Sequence, residues 1–493
     1  MIDSSKLKKK AVHGVIWTSI QRFLTIFIQF VSGIILARLL SPDDFGCIGM
    51  LSIFMIVASS FIDGGFGSAL IQKKRPSQTD YSTIFFWNFI VSIFIYLVLY
   101  ISAPYIARYY HTELLSSVLR VQALVLIFNA LTTIHINKLN KEFNFRKISV
   151  VSLISIVISL TVTIVMAYHG YGVWSLVTQN LLMAIIPTVI YWVTCPWRPT
   201  WVFSTQSFKE LFGFGFYVLL THIINNIGTN VQGLLIGRVY NPSVMGYYSK
   251  ANNTEKLAST SISQVIGQVS YPLYAEMQND KVHLILTLKK LTQLVTYVTF
   301  PLMFLLILLA TPIFILLYSE KWLPAVPYFQ ILCLAGLAIC LHAINTQSIA
   351  AIGKSKVMFV WAFIKQIGGF ILMLVGFYLF GIKGLLIGMV IKSWLIYVIN
   401  ASLVSKYFGY RLWKQLNDIF PVIVISIISF GIAYFLGELA NGLNLYAMAL
   451  LKLSIYVMTY ILCSIAFKLE AYAVCMDLLQ PFVYKIKNKY HRS

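Results

Sequence analysis

Residues 33–46 read Gly-Ile-Ile-Leu-Ala-Arg-Leu-Leu-Ser-Pro-Asp-Asp-Phe-Gly, and residues 233–246 read Gly-Leu-Leu-Ile-Gly-Arg-Val-Tyr-Asn-Pro-Ser-Val-Met-Gly. Gly33 and Gly233, Arg38 and Arg238, Pro42 and Pro242, and Gly46 and Gly246 hold the same places, while Ala37 and Gly237 keep a further place small. Each copy ends an apolar segment at an arginine, turns at a proline and opens a new segment at a glycine, as a connection between two helices does. The repetition predicts a chain of two related halves.

Upstream of each turn the two copies carry polar residues at helical spacing and in the same register. The first has Arg22, Thr25, Gln29 and Ser32, the second His222, Asn225, Thr229 and Gln232. Polar groups on a lipid-spanning helix are costly unless they meet protein or water, so each stripe is expected to face inward. Two readings stay open. Either the small residues form packing seams with hydrogen bonds beside them, or the stripes line a wet cavity, which the charge of Arg22 favours.

Composition sets the environment. Of 493 residues 59% are hydrophobic and 11% charged, against about 25% charged in a soluble domain, so the chain is read as an integral membrane protein. The net charge of +22 does not point to nucleic acid, because the cations stand in short clusters between apolar runs, as the positive-inside rule describes. Cutting the chain into apolar runs of about 20 residues predicts an all-α protein of about fourteen spans. They lie near 12–39, 45–69, 81–101, 117–137, 148–168, 172–194, 212–238, 245–273, 293–317, 326–350, 357–379, 383–404, 419–437 and 446–468. The segment 245–273 is polar, with Lys250, Asn252, Asn253, Glu255 and Lys256, but it occupies the place of 45–69 in the repeat. The first ten residues are basic and lead into a run too long for a signal-peptide core.

Alternate loops are basic, among them Lys73-Lys74-Arg75, Lys138 with Lys141, Lys289-Lys290 and the tail at 485–492. These loops and both termini are expected in the cytosol. Six spans separate the two copies, so both start from the same side and the halves are parallel repeats. The expected organisation is an N-terminal six-helix lobe at 1–205, a second at 206–405, and two additional helices with a basic cytosolic tail at 406–493.

No His-Glu-x-x-His, Gly-x-Ser-x-Gly or Walker sequence occurs, and the six cysteines are scattered without metal or disulfide spacing. Neither catalytic residues nor a cofactor or metal site is expected. Cations are the unusual feature. Arg22, Lys365 and Lys392 fall near mid-helix, where each costs about 2.5–3.5 kcal/mol on insertion scales. Lys250 and Lys256 join them as candidates for a cationic cavity. Spans 357–379 and 383–404 hold no carboxylate. The partner of their lysines is therefore an anion from outside, for which phosphate is well suited, or else Asp63 or Glu255 across the bundle. The same two carboxylates are candidates for coupling to H⁺ or Na⁺.

Four stretches carry a resemblance that runs over the whole chain. They are Ala-Arg-Leu-Leu-Ser-Pro-Asp-Asp-Phe-Gly at 37–46, Gly-Phe-Gly-Ser-Ala-Leu-Ile-Gln at 65–72, Gly-Tyr-Gly-Val-Trp-Ser-Leu at 170–176, and Gly-Tyr-Tyr-Ser-Lys-Ala at 246–251. Together they resemble the polysaccharide transporter family, the Wzx-type flippases of O-antigen and colanic acid. That family belongs to the superfamily that also holds the MATE multidrug exporters and the lipid II flippase. The resemblance implies two six-helix lobes around a cationic cavity, two additional C-terminal helices, and export of undecaprenyl-pyrophosphate-linked oligosaccharide to the outer leaflet. It implies a bacterial cytoplasmic-membrane protein in cell-surface polysaccharide biosynthesis, with membrane lipids and a polysaccharide polymerase as partners. The alternatives are a MATE-like small-molecule exporter, which would want buried carboxylates in the cavity, and a membrane polysaccharide polymerase or ligase, which would want a large external loop.

Overall fold

The computed structural model describes residues 4–278, 280–352, 355–440 and 442–477, so the basic tail at 485–492 lies outside the described residues. The regular structure of these residues is helical, without strands, and the chain divides into two compact units, Met1–Ser249 and Lys250–Ser493.

In the first unit α1 (Ser4–Leu39) packs on α7 (Phe145–Tyr168), which packs on α8 (Val173–Thr194). α4 (Gln78–Tyr109) lies against α5 (Leu114–Gln122) and α6 (Leu124–Lys141). α2 (Pro42–Asp63) and α3 (Phe66–Gln72) lie against α9 (Thr205–Asn230), and α10 (Gln232–Val239) also meets α2. α11 (Pro242–Glu276) starts in this unit and runs into the second.

The local sequence explains the helix starts. Ser41 caps α2 in a reciprocal box, its Oγ accepting from the Asp44 N–H at 3.3 Å while Asp44 Oδ2 accepts from the Ser41 N–H at 2.9 Å, with Pro42 in the first turn. Ser77 and Asp80 repeat the device at the start of α4. Where the sequence predicts one span over 45–69, the structure breaks it. Gly64 and Gly65 take φ of 54° and 70°, a region open to glycine. A Cβ on Gly65 would stand 2.4 Å from the Gly215 carbonyl oxygen, so the break is also seated against α9.

In the second unit α12 (Lys281–Leu308) packs on α14 (Val326–Ala351) and α16 (Leu412–Leu439), α14 on α15 (Ser355–Phe408), and α16 on α17 (Leu445–Ala466). The expected span 293–317 is divided at Leu309 between α12 and the short α13 (Ala310–Tyr318). α15 is two helices joined at Phe380 and Gly381, whose φ of 60° ends the first. The halves return on one another as an antiparallel hairpin through glycine. A Cβ on Gly376 would lie 2.2 Å from the Gly384 carbonyl oxygen, and one on Gly384 would lie 1.9 Å from that of Gly376.

Eleven described helices are long and apolar enough to cross a membrane, or twelve if the bent pair Thr205–Gly213 and Val218–Val239 counts as one span. The 49 residues of Val360–Phe408 form one of the eleven although they contain the hairpin. α11 is absent from that set yet is helical over 35 residues, as its place in the repeat predicts.

Candidate functional site

The break between α2 and α3 gathers polar groups in the first unit. Gly67 has no side chain where the Asp63 carboxylate and the Asn137 amide approach: a Cβ there would be 3.3 Å from Asp63 Oδ1 and 3.0 Å from Asn137 Nδ2. Asp63 is exposed, and His222 of α9 lies within electrostatic reach of it. Asn226 of α9 donates to Ser60 Oγ at 2.8 Å. Lys141 donates to the carbonyls of Leu70, at 3.3 Å, and Ile71, at 2.7 Å, at the end of α3, where a cation meets the negative end of the helix dipole.

The polar stripes divide by exposure. Arg22, Gln29, His222, Asn225 and Thr229 are exposed, Thr25 is half-buried, and Ser32 and Gln232 are buried. Several are satisfied locally: Ser32 donates to the Gln29 carbonyl at 3.1 Å, Thr229 to that of Asn225 at 2.8 Å, and Gln232 to that of Thr229 at 2.7 Å.

The second unit brings Lys365 and Lys392 onto one face of the α15 hairpin. Lys392 lays its stem across Gly369, where a Cβ would come within 2.5 Å of Lys392 Cδ. Lys365, one turn or about 6 Å before Gly369 on the same helix, donates to the Asn400 side-chain oxygen. Asn400 passes the contact on to Thr346 Oγ1 at 3.3 Å, and His342 of α14 meets the Ser393 carbonyl at 3.0 Å. An amide oxygen accepts the ammonium proton without neutralising its charge. The charge of the Lys365 ammonium is therefore not compensated by Asn400, and the side chain sits half-buried in the hairpin.

On α11, Lys250 is 7% exposed and holds its ammonium 3.9 Å from the Tyr318 ring centre and 5.6 Å from that of Trp322, a cation–π arrangement. Glu255 is 2% exposed, with Oε1 against Gly336, where a Cβ would stand 2.5 Å away. That oxygen has no hydrogen-bond partner among the described residues. Lys256 is exposed beside it. Sequence reasoning missed Asn400, Asn137 and the rings under Lys250. Neutral side chains carry no charge signal, and only the register of the folded helices brings them alongside.

This is the fold of a multi-pass membrane transporter. The structure of the lipid II flippase MurJ in an inward closed conformation superposes with a TM-score of 0.72 at 18% identity, covering 92% of this chain and 98% of that one. An inward-facing multidrug resistance MATE family transporter gives 0.59 at 14% identity, over 80% and 98% of the two chains. The sequence profile of the family described as Polysaccharide biosynthesis protein matches residues 35–327. The chain belongs to that family. Its curated relatives include the teichuronic acid biosynthesis protein TuaB of Bacillus subtilis, 25% identical over 72% of this chain and 74% of that protein. The succinoglycan biosynthesis transport protein ExoT of Rhizobium meliloti is 26% identical over 73% of each. The lipopolysaccharide biosynthesis protein WzxC of Escherichia coli is 24% identical over 67% of this chain and 68% of its own.

Proposed function

We propose that the protein is a flippase that carries undecaprenyl-pyrophosphate-linked oligosaccharide across the bacterial cytoplasmic membrane by alternating access, for cell-surface polysaccharide synthesis. Family membership supports the substrate class, and the α15 hairpin supports the means of holding it. The observation that carries the reading is Lys365. Its ammonium is half-buried among spanning helices and donates to an amide oxygen, which carries no negative charge, so a pyrophosphate would supply the neutralising charge that Asn400 does not. In this reading Arg22, Lys392, Lys250 and Lys256 contribute further positive potential, and the exposed stripe residues Gln29, Asn225, Thr229 and His222 meet sugar hydroxyls.

The fourteen-span arrangement, with lobes at 1–205 and 206–405 and two added helices at 406–493, accommodates this transport, with both termini in the cytosol. Asp63, at the end of a broken helix beside Asn137 and His222, is the coupling residue we favour for H⁺ or Na⁺, since half-helix ends and unwound backbone hold ions in other transporters. Glu255 is the second candidate. A polysaccharide polymerase on the outer face is the expected consumer of the delivered lipid. The direct test is the amount of lipid-linked oligosaccharide reaching the outer leaflet when the lysines of the hairpin are neutralised or reversed.

A further inference from the structure

At one end of the second unit, the start of α16, the end of α17 and the segment after it enclose a cleft of about 520 Å³ that contains Gln293, Asn417, Asp418 and Phe420. Phe467, Lys468 and Glu470 complete its mouth. One wall is apolar, built by Phe420, Val424 and Ile428, with Phe420 63% exposed. The other is charged. Lys289 bridges Asp418 at 3.5 Å and Glu470 at 2.7 Å, and Gln293 donates to Glu470 at 2.8 Å.

Three features of the polar wall look for a ligand. Among the described residues both contacts to Glu470 fall on Oε2 and leave Oε1 its lone pairs, and the hydrogen bonds from Lys289 and Gln293 hold this carboxyl below its ordinary range and ionised. Pro421 has no N–H to give to the Asn417 carbonyl four residues earlier. Lys468 takes φ of 48°, in the position after a helix end that glycine normally fills: its N–H donates to the Ile465 carbonyl at 3.1 Å and the Leu469 N–H to that of Ser464 at 3.1 Å. A lysine in left-handed backbone is strained, and strain of this kind gathers where a side chain is needed.

We infer that this cleft binds a glycerophospholipid whose headgroup ends in a primary ammonium, with its phosphate on Lys468, its ammonium on Glu470 Oε1 and the Asn417 carbonyl, and its acyl chain along Phe420, Val424 and Ile428. The charges decide among lipids. Asp418 and Glu470 balance Lys289 and Lys468, so the wall matches a zwitterion, whereas a pyrophosphate or an anionic lipid would confront two carboxylates. A quaternary ammonium has no N–H to satisfy the open acceptors.

The test uses the full-length purified protein in detergent, with native mass spectrometry of added phosphatidylethanolamine, phosphatidylcholine and phosphatidylglycerol. The first should be retained preferentially. Lys468→Gly removes the cation and relieves the strained backbone, so it should retain phosphatidylethanolamine about fivefold more weakly while unfolding at the wild-type temperature or above. Glu470→Gln should weaken retention similarly and leave phosphatidylcholine binding as low as before. Equal retention of phosphatidylglycerol or phosphatidylcholine by the wild type, or unchanged phosphatidylethanolamine retention by both variants, would overturn the inference.

Discussion

Ser243 donates from Oγ to Asp43 Oδ1 at 2.6 Å, and the two residues occupy the same place in the two copies of the repeat. Around them the contact is reciprocal. A Cβ on Gly46 would lie 1.8 Å from the Pro242 carbonyl oxygen, and one on Gly246 would lie 1.9 Å from that of Pro42. The starts of α2 and α11 therefore cross backbone to backbone about a local two-fold, which is why glycine stands at that place in both copies.

Gly46→Ala and Gly246→Ala should each force backbone apart, because the obstructing atoms are carbonyl groups that cannot rotate away. A loss of about 1–3 kcal/mol is expected for each, read as a lower unfolding temperature of the purified protein. Gly33→Ala, where an added Cβ meets nothing within 4 Å, should leave it within about 0.5 kcal/mol of wild type. Equal behaviour of Gly33 and Gly46 variants would show that the crossing is not tight.

Gly369 offers a way to move Lys392 without changing it. In Gly369→Ala the new methyl group would meet the Lys392 stem at 2.5 Å, and a flexible stem yields where backbone would not. Membrane protein level should stay near wild type, while transport falls about two- to tenfold as the ammonium is displaced. Wild-type transport by this variant would mean that the position of Lys392 does not matter.

The repeat marked Gly46 and Gly246 as equivalent places and predicted α11 as a helix against its hydropathy, whereas their crossing is read only from the folded backbone. The hairpin partners were less legible in sequence. Lys365 and Lys392 stood out because a charge in an apolar run is costly. Their neighbours Asn400 and Gly369 did not, since which residues face each other depends on the glycine contact at Gly376 and Gly384. The break after Asp63 was hidden for a related reason. A Gly-Gly pair is tolerated within many helices, and here the seat against Gly215 decides that the helix stops.

Orientation can be read by labelling in a cysteine-free parent. The proposed orientation puts Asp43 in an external turn and Lys74 in a cytosolic loop, so Asp43→Cys should react with an impermeant thiol reagent on intact cells and Lys74→Cys should resist it. The reverse pattern would invert the topology.

Asp63→Asn removes the charge at the α2 break but keeps the shape. Transport by the wild type should respond to either pH or Na⁺, and the variant should lose that response while remaining in the membrane. His222→Gln, which removes an imidazole near Asp63, should shift the wild-type response without abolishing it. Asp63→Asn that responds as wild type does would exclude this carboxylate from coupling.

In the proposed mechanism Lys365 holds an anionic lipid-linked substrate by its charge. Delivery of lipid-linked oligosaccharide to the outer leaflet, measured beside membrane protein level, should fall in the order wild type, Lys365→Arg, Lys365→Ala and Lys365→Glu, with about tenfold or more lost in the last, since a reversed charge repels a pyrophosphate in a poorly screened site. All four proteins should be present at similar levels, because the Asn400 amide can be left to Thr346. A well-expressed Lys365→Glu protein that delivers substrate at the wild-type rate would contradict the account.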